Sequence, residues 1–312
     1  MKPIALRDSY GQALAALGRE HENVVALTAD LAGATKTSIF QKEFPERHFN
    51  CGIAEGNMVS LAAGMATMGY VPFVSTFAMF AAGRAFEQIR NSIGYPHLNV
   101  KIAATHGGIS VGEDGASHQC CEDFALMRVI PGMTVICPCD DAQARAAVRA
   151  AYEHDGPVYL RFSRAASPAV YEGEAPFEIG KGVMLREGTD VALLANGLLV
   201  YEALQAAETL AEEGISARVI DLATIKPLDE EIVLQAAKEC RAIVTCEEHS
   251  IIGGLGEAVA ALLCEKGAAV PMARVGVRDV FGTSGTAKEL MKAYGLTSEQ
   301  IVQSTKTLFA SI

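Results

Sequence analysis

Between Glu55 and Arg84 the chain carries no Asp, Glu, Lys or Arg. A stretch that long without charge has few places to go: across a bilayer, or into the middle of a fold. A span needs about 20 continuous apolar residues, and residues 56–83 are broken by Gly64, Gly69, Pro72 and the pair Ser75-Thr76. They divide instead into a helix over 57–68, a turn at Gly69, a buried strand to Ser75 and a second helix. Such a unit belongs at the centre of an α/β domain, where strands covered on both faces read as continuous apolar runs. Glu55, in CGIAEGNM (51–58), stands at the entrance of this unit. A carboxylate placed there needs a reason.

The neighbouring sequence has the same character. Strands are expected at Val24–Thr28, His48–Ile53, Val71–Ser75, Val100–Thr105, Thr134–Cys137 and Val158–Phe162. Helical patterns fill most of the gaps; Asp140–His154 opens on an Asp pair suited to capping. At Ala165–Lys181 the composition shifts to Pro, Gly and small residues, as in a linker. A second alternating set follows at Val191–Ala195, Ala217–Asp221, Ala242–Cys246 and Ala273–Val277, with helices Leu198–Glu213 and Gly256–Lys266 between them. Strand–helix alternation predicts an α/β protein with two consecutive parallel-sheet domains and helices on both faces. Their expected extents are 1–170 and 182–312, joined by 171–181, a division that suits 312 residues.

Composition narrows the function. A formal net charge of −11 argues against a general nucleic-acid binder. The eight cysteines form no CxxC pair; Cys120-Cys121 and Cys137-Pro138-Cys139 are the close sets, which argues against a zinc cluster or a disulfide framework. The start, MKPIALRDSY, lacks the apolar core of a signal peptide, so the cytoplasm is the expected compartment.

Besides the stretch around Glu55, four could carry chemistry. HGGISVGEDGASHQ, His106 to Gln119, follows a predicted strand, and ligands gather beyond the carboxyl ends of such strands. His106, Asp114 and His118 can bond hydroxyl groups or move protons, and the glycines let the backbone approach a ligand. In STFAMF, Phe77 and Phe80 share a helical face and could stack on an aromatic ring. Arg161 and Arg164 lie at the end of the last strand of the first half, and Arg7 near the chain start; arginines there suit a phosphate or carboxylate as well as open solvent. EEHSIIGGLGEAV, Glu247 to Val259, lacks the GxGxxG spacing and reads as a structural turn.

In order, GIAEGNM, GYVPFVSTFAMF and HGGISVGEDGASHQ resemble the C-terminal half of transketolase, and the likeness continues through SR (163–164), TIKPLD (224–229) and EEHSIIGGLGEAV. The family's first half, with its GDG motif and an asparagine about 25–30 residues on, has no counterpart here. The resemblance implies the smaller subunit of a split transketolase. It would use thiamine diphosphate, with Mg²⁺ and the diphosphate held mainly by a separate N-terminal-half subunit in an α2β2 assembly. The activity implied is transfer of a two-carbon ketol unit from a ketose phosphate to an aldose phosphate. Position by position, Glu55 matches the glutamate that bonds N1′ of the aminopyrimidine and activates the cofactor. Phe77 and Phe80 match residues lining the pyrimidine pocket. His106 and His118 match histidines on sugar hydroxyls, Asp114 an aspartate that recognises an acceptor hydroxyl, and Arg7 and Arg164 arginines that hold a sugar phosphate. Gly56 departs from a common glutamine, and Ala34 stands where many members carry a phosphate-binding serine, with Thr35 and Ser38 as candidate substitutes. A 2-oxo acid dehydrogenase beta subunit shares the plan but lacks GEDG-x-x-HQ, and a deoxyxylulose-phosphate synthase fragment usually reads ND at Glu113-Asp114. A catalytically silent partner of the same fold is a further alternative.

Overall fold

The computed structural model describes residues 2–312. Its strands are β1 (Ile4–Ala5), β2 (Val24–Thr28), β3 (His48–Asn50), β4 (Val71–Phe77), β5 (Lys101–Thr105), β6 (Thr134–Ile136), β7 (Val158–Phe162), β8 (Ala166–Ser167), β9 (Val183–Arg186), β10 (Val191–Ala195), β11 (Ala217–Asp221), β12 (Thr224–Lys226), β13 (Ala242–Ser250) and β14 (Met272–Val277). A seven-stranded sheet has the order β12-β6-β7-β5-β4-β2-β3, and a five-stranded sheet the order β14-β13-β10-β11-β9. Each is parallel except for one antiparallel edge strand, β12 in the first and β9 in the second. Strands β2, β4, β5, β7, β10 and β11 are buried along their whole length, which accounts for their largely apolar sequences, with Lys101, Arg161, Arg218 and Asp221 as the charged exceptions. The α/β architecture with helices packed on the sheets is the one expected.

Capping explains several helix starts. Asp140 accepts a bond from the Gln143 backbone N–H and opens helix Asp141–Glu153; Asp229 does the same for Glu230–Glu239. Thr286 and Glu289 form a reciprocal capping box. Each such cap is worth about 1 kcal/mol. The other Asp140 oxygen accepts from the Val170 and Tyr171 N–H groups at 2.8 Å, so this cap also anchors the connecting segment.

One expected strand is shorter than its sequence suggests, and four short strands lie outside the expected set. The strand at His48 stops at Asn50, because Gly52 adopts φ +69 and turns the chain, leaving Ile53 exposed. Just before the connecting segment 171–181, β8 pairs with β1. The short strands β1, β8, β9 and β12 escape a reading by periodicity because two to four residues carry too little pattern. Of these, β12 matters most, since it carries a piece of the second half onto the edge of the first sheet, beside β6.

The uncharged run forms helix Glu55–Thr67 and then β4. The expected second helix is irregular: two π-helical turns, Phe80–Arg84 and Ile89–Gly94, flank a short α turn at Phe86–Gln88. Wide turns of this kind are rare and gather at functional sites. Among the described residues no helix is long and apolar enough to cross a membrane.

Candidate active site

Strands β4 and β5 are neighbours, and Phe77 stands opposite Thr105 in their register. Phe77 and His106 therefore emerge side by side beyond the carboxyl ends of the sheet, with ring centroids 3.9 Å apart and stacked. One turn on, Phe80 stacks against Phe77 at 5.6 Å, and His118 meets Phe80 edge-on at 5.4 Å. Phe77 ends β4 and Phe80 opens the π turn, so the two do not share one helical face as expected, yet the four rings form one aromatic wall beside a groove of about 640 Å³ whose lining includes Met79, Phe80, Arg84, Cys121, Val277 and Phe281. A larger depression of about 800 Å³, near the connecting segment and Ala287–Glu299, contains none of these groups.

His106 occupies the left-handed region at φ +58, where a non-glycine residue is strained. Its Nε2 lies 3.3 Å from Arg7 Nη1, and its Nδ1 lies 2.9 Å from Thr105 Oγ1. A guanidinium can only donate, so Nε2 accepts and Nδ1 carries the proton. Burial, with Arg7, Arg164 and His118 nearby, pulls this imidazole down to about 3. His106 is therefore neutral near pH 7 and offers a fixed acceptor.

The loop is held from beneath. A Cβ on Gly107 would fall 2.0 Å from Arg161 Nε, and one on Gly108 would fall 2.3 Å from Glu248 Oε1, so only glycine can pass there. Glu248, from β13, accepts a 2.6 Å bond from the Ser110 N–H. Gln119 donates to the Ile109, Gly112 and Thr283 carbonyls and ties the loop's far end to the second sheet's side of the molecule.

Glu55 is the first residue of helix Glu55–Thr67 and is 4% exposed. That position favours a carboxylate, because the helix dipole is positive there. Its Oε1 accepts a 3.2 Å bond from Arg84 Nη1, and the Arg84 guanidinium lies 4.2 Å from the centroid of Phe80. The two charged residues that bracket the uncharged run thus meet in space.

Glu55, Phe77, Phe80, His106, His118 and Arg7 are brought together by this arrangement. Arg164 stays at its margin, bonded to the Val111 carbonyl and to Glu113 at 2.7 Å. Asp114 lies exposed in the same loop. Arg161 has no part in the groove: it is fully buried within β7, 3.5 Å from Asp123, and donates to the Glu248 carbonyl at 2.8 Å. Thr35 is unavailable as a stand-in at the Ala34 position, since its hydroxyl is buried and donates to the Leu31 carbonyl. The Ala34 carbonyl instead accepts from Arg7 at 3.4 Å. Gly56 also has a reason: a Cβ there would meet Gln88 Oε1 at 3.2 Å, so Gln88 fills the space of a side chain.

The description "Transketolase, pyrimidine binding domain" matches residues 2–169, and "Transketolase, C-terminal domain" matches residues 180–301. The chain belongs to the transketolase family. Among its relatives is a putative transketolase C-terminal section of Methanocaldococcus jannaschii, 53% identical over 96% of this chain and 94% of the relative. Another is a 6-deoxy-6-sulfo-D-fructose transketolase subunit of Clostridium sp. (strain MSTE9), 45% identical over 96% of this chain and 92% of the relative. A solved split-gene transketolase, an inactive beta4 tetramer, superposes with a TM-score of 0.91 at 51% identity, covering 99% of both chains.

Members of the transketolase family are thiamine-diphosphate dependent. A carboxylate at a helix start beside a phenyl wall suits a flat ring with a basic nitrogen. Among the described residues no three His, Cys, Asp or Glu side chains converge. The turn at Glu247–Val259 is structural, as its spacing indicated. The Glu247 carboxylate accepts from the Leu255 and Gly256 N–H groups at 2.7 and 2.8 Å and closes the start of helix Leu255–Glu265. Two features escaped the sequence reading: Arg84 as the partner of Glu55, and the buried group Asp123, Arg161 and Glu248. Arg84 had a signal, being the first charge after the run and four residues past Phe80.

Proposed function

We propose that this chain is the smaller subunit of a thiamine-diphosphate-dependent transketolase, made of a pyrimidine-binding domain (1–170) and a C-terminal domain (182–312). The reading rests on one observation above all: a buried glutamate at a helix start reaches, through Arg84, the phenyl wall formed by Phe77 and Phe80. In its activated form thiamine diphosphate supplies the nucleophile and electron sink for moving a two-carbon ketol unit. Glu55 holds and returns a proton at N1′ of the aminopyrimidine ring, and the phenyl rings fix the plane of that ring. His106 offers its neutral Nε2 to a sugar hydroxyl once an anion draws Arg7 away, and His118 bonds a second hydroxyl. Asp114 contacts the acceptor, and Arg7 and Arg164 hold its phosphate.

A partner subunit supplies the diphosphate and Mg²⁺ site in this reading. The relative solved as a beta4 tetramer was inactive, which is what half a site would give. The expected assembly is α2β2 in the cytoplasm. The test combines this chain with an N-terminal-half transketolase subunit, Mg²⁺ and thiamine diphosphate, and follows ketol transfer from a ketose phosphate. Turnover should require both chains and should collapse in Glu55→Gln while the complex still forms. Wild-type turnover in that variant would remove Glu55 from the role.

A further inference from the structure

Arg84 sits where a ligand of this groove has to go. One N–H of its guanidinium points at Glu55 Oε1, 3.2 Å away, while its central carbon lies over the Phe80 ring, 4.2 Å from the ring's centre. These are the two contacts that the reading above gives to the aminopyrimidine ring: an edge bond to the carboxylate and a face against a phenyl group. A guanidinium and a protonated aminopyrimidine are chemically alike in this respect, since both are planar cations with N–H groups along one edge. Phe77 and His118 already press on Phe80, so the guanidinium covers ring surface that a planar ligand needs.

We infer that Arg84 is a placeholder for the aminopyrimidine: it satisfies Glu55 and covers Phe80 until the cofactor ring displaces it, and so sets the affinity for the cofactor. The inference rests on the proposed transketolase reading and adds a residue to it. Three features support the exchange. Arg84 is 55% exposed at the mouth of the groove, so its side chain can swing into solvent without unfolding anything. Glu55 is 5% exposed and cannot be resolvated in the same way, so it gains from having one cation or the other. The π-helical turn Phe80–Arg84, closed by the Ala85 N–H to the Phe80 carbonyl at 3.2 Å, is a wide turn of the kind that gathers at functional sites.

A site that must first be vacated binds more weakly by the fraction of time it is open. Removing the placeholder should therefore tighten cofactor binding. Titration calorimetry on the assembled two-subunit complex with Mg²⁺ should show thiamine diphosphate binding about 3- to 10-fold tighter in Arg84→Ala and Arg84→Met than in wild type. Arg84→Lys should fall between, because an ammonium keeps the charge but cannot stack as a plane. Inorganic diphosphate with Mg²⁺, which has no ring, should bind all four proteins equally.

Weaker or unchanged cofactor binding in Arg84→Ala, with Glu55→Gln still impaired, would overturn the placeholder and leave the transketolase reading standing. Equal tightening of diphosphate and cofactor would also overturn it, by placing the effect in subunit assembly. Failure of the wild-type complex to take up the cofactor at all would remove both the reading and the inference.

Discussion

Two arginine–carboxylate pairs in this chain share a plan and differ in burial. Arg84 pairs with Glu55 above Phe80, and Arg161 pairs with Asp123 above Phe124, 4.8 Å from its centroid. The first arginine is 55% exposed, the second 2%. Around Arg161 the surroundings are closed: Asp123 also accepts from the Tyr159 hydroxyl at 2.9 Å, and the Glu248 carbonyl and carboxylate bind Arg161 and Ser110. Around Arg84 there is one bond and an open groove. A buried charge with every neighbour fixed is a fastening between the two sheets. A buried carboxylate whose cation can leave is a site. The distinction lies in the freedom of the partner, since both acids are buried.

Removing each arginine's charge should separate the two roles. Arg161→Met leaves Asp123 and Glu248 as uncompensated buried acids, and the expected loss is about 3–5 kcal/mol. Arg84→Met leaves one buried acid whose partner was already half in solvent, and the expected loss is smaller, about 1–2 kcal/mol. Urea unfolding of the isolated chain measures both; equal losses would erase the comparison. The activity contrast runs the other way. Glu55→Gln should lower turnover of the assembled enzyme by about 10²- to 10⁴-fold, the range for losing a positioned proton-transfer group.

His106 tests the middle ground, as a buried group that faces the site. Its folded form is neutral, with the imidazole pulled from 6.5 to about 3. In that window the unfolded chain binds a proton that the folded chain refuses. Its contribution is thus complete above about pH 6.5 and is lost as the pH falls toward 3, at about 1.4 kcal/mol per pH unit. Burial raises the carboxyls of Asp221 to about 6 and Glu247 to about 7, and their contributions change in the opposite direction, falling as the pH rises. The difference between wild type and His106→Asn isolates the histidine. That difference should shrink steadily as the pH falls from 6.5 to 4.5, and a constant difference would mean that His106 takes up its proton as readily in the folded chain as in the unfolded one.

The sheets were legible because they are buried. Val24–Thr28 and Val191–Ala195 are covered on both faces and so are written almost entirely in apolar residues, and Val158–Phe162 is too apart from Arg161. The wall of Phe77, Phe80, His106 and His118 was legible in part, because strand register converts two separate motifs into one surface. Arg161 was misjudged for the converse reason. Sequence places it at the end of a strand but cannot say that Asp123 and Glu248, 38 and 87 residues away, close over it. Arg84 and Glu55 are 29 residues apart, and only the turn back through β4 and the wide π turn makes them neighbours. Long-range partners of charges are set by tertiary packing, and periodicity carries no record of them.

Gly56 is the smallest test of the same distinction between fixed and mobile neighbours. An added methyl would meet Gln88 Oε1 at 3.2 Å and Cδ at 3.3 Å, closer than side chains usually approach. Gln88 is half-buried, and its amide donates to the Glu87 carboxylate at 2.7 Å, a bond between two surface side chains that can re-form after a small shift. Replacing glycine by alanine in a helix is itself favourable by up to about 1 kcal/mol, and by less in the first turn. The two effects oppose one another, and Gly56→Ala should change stability by no more than about 0.5 kcal/mol. A loss above about 2 kcal/mol would mean that Gln88 cannot yield. The rim of the groove beside Glu55 would then be as fixed as the surroundings of Arg161, and an arginine leaving that rim for solvent would be hard to sustain.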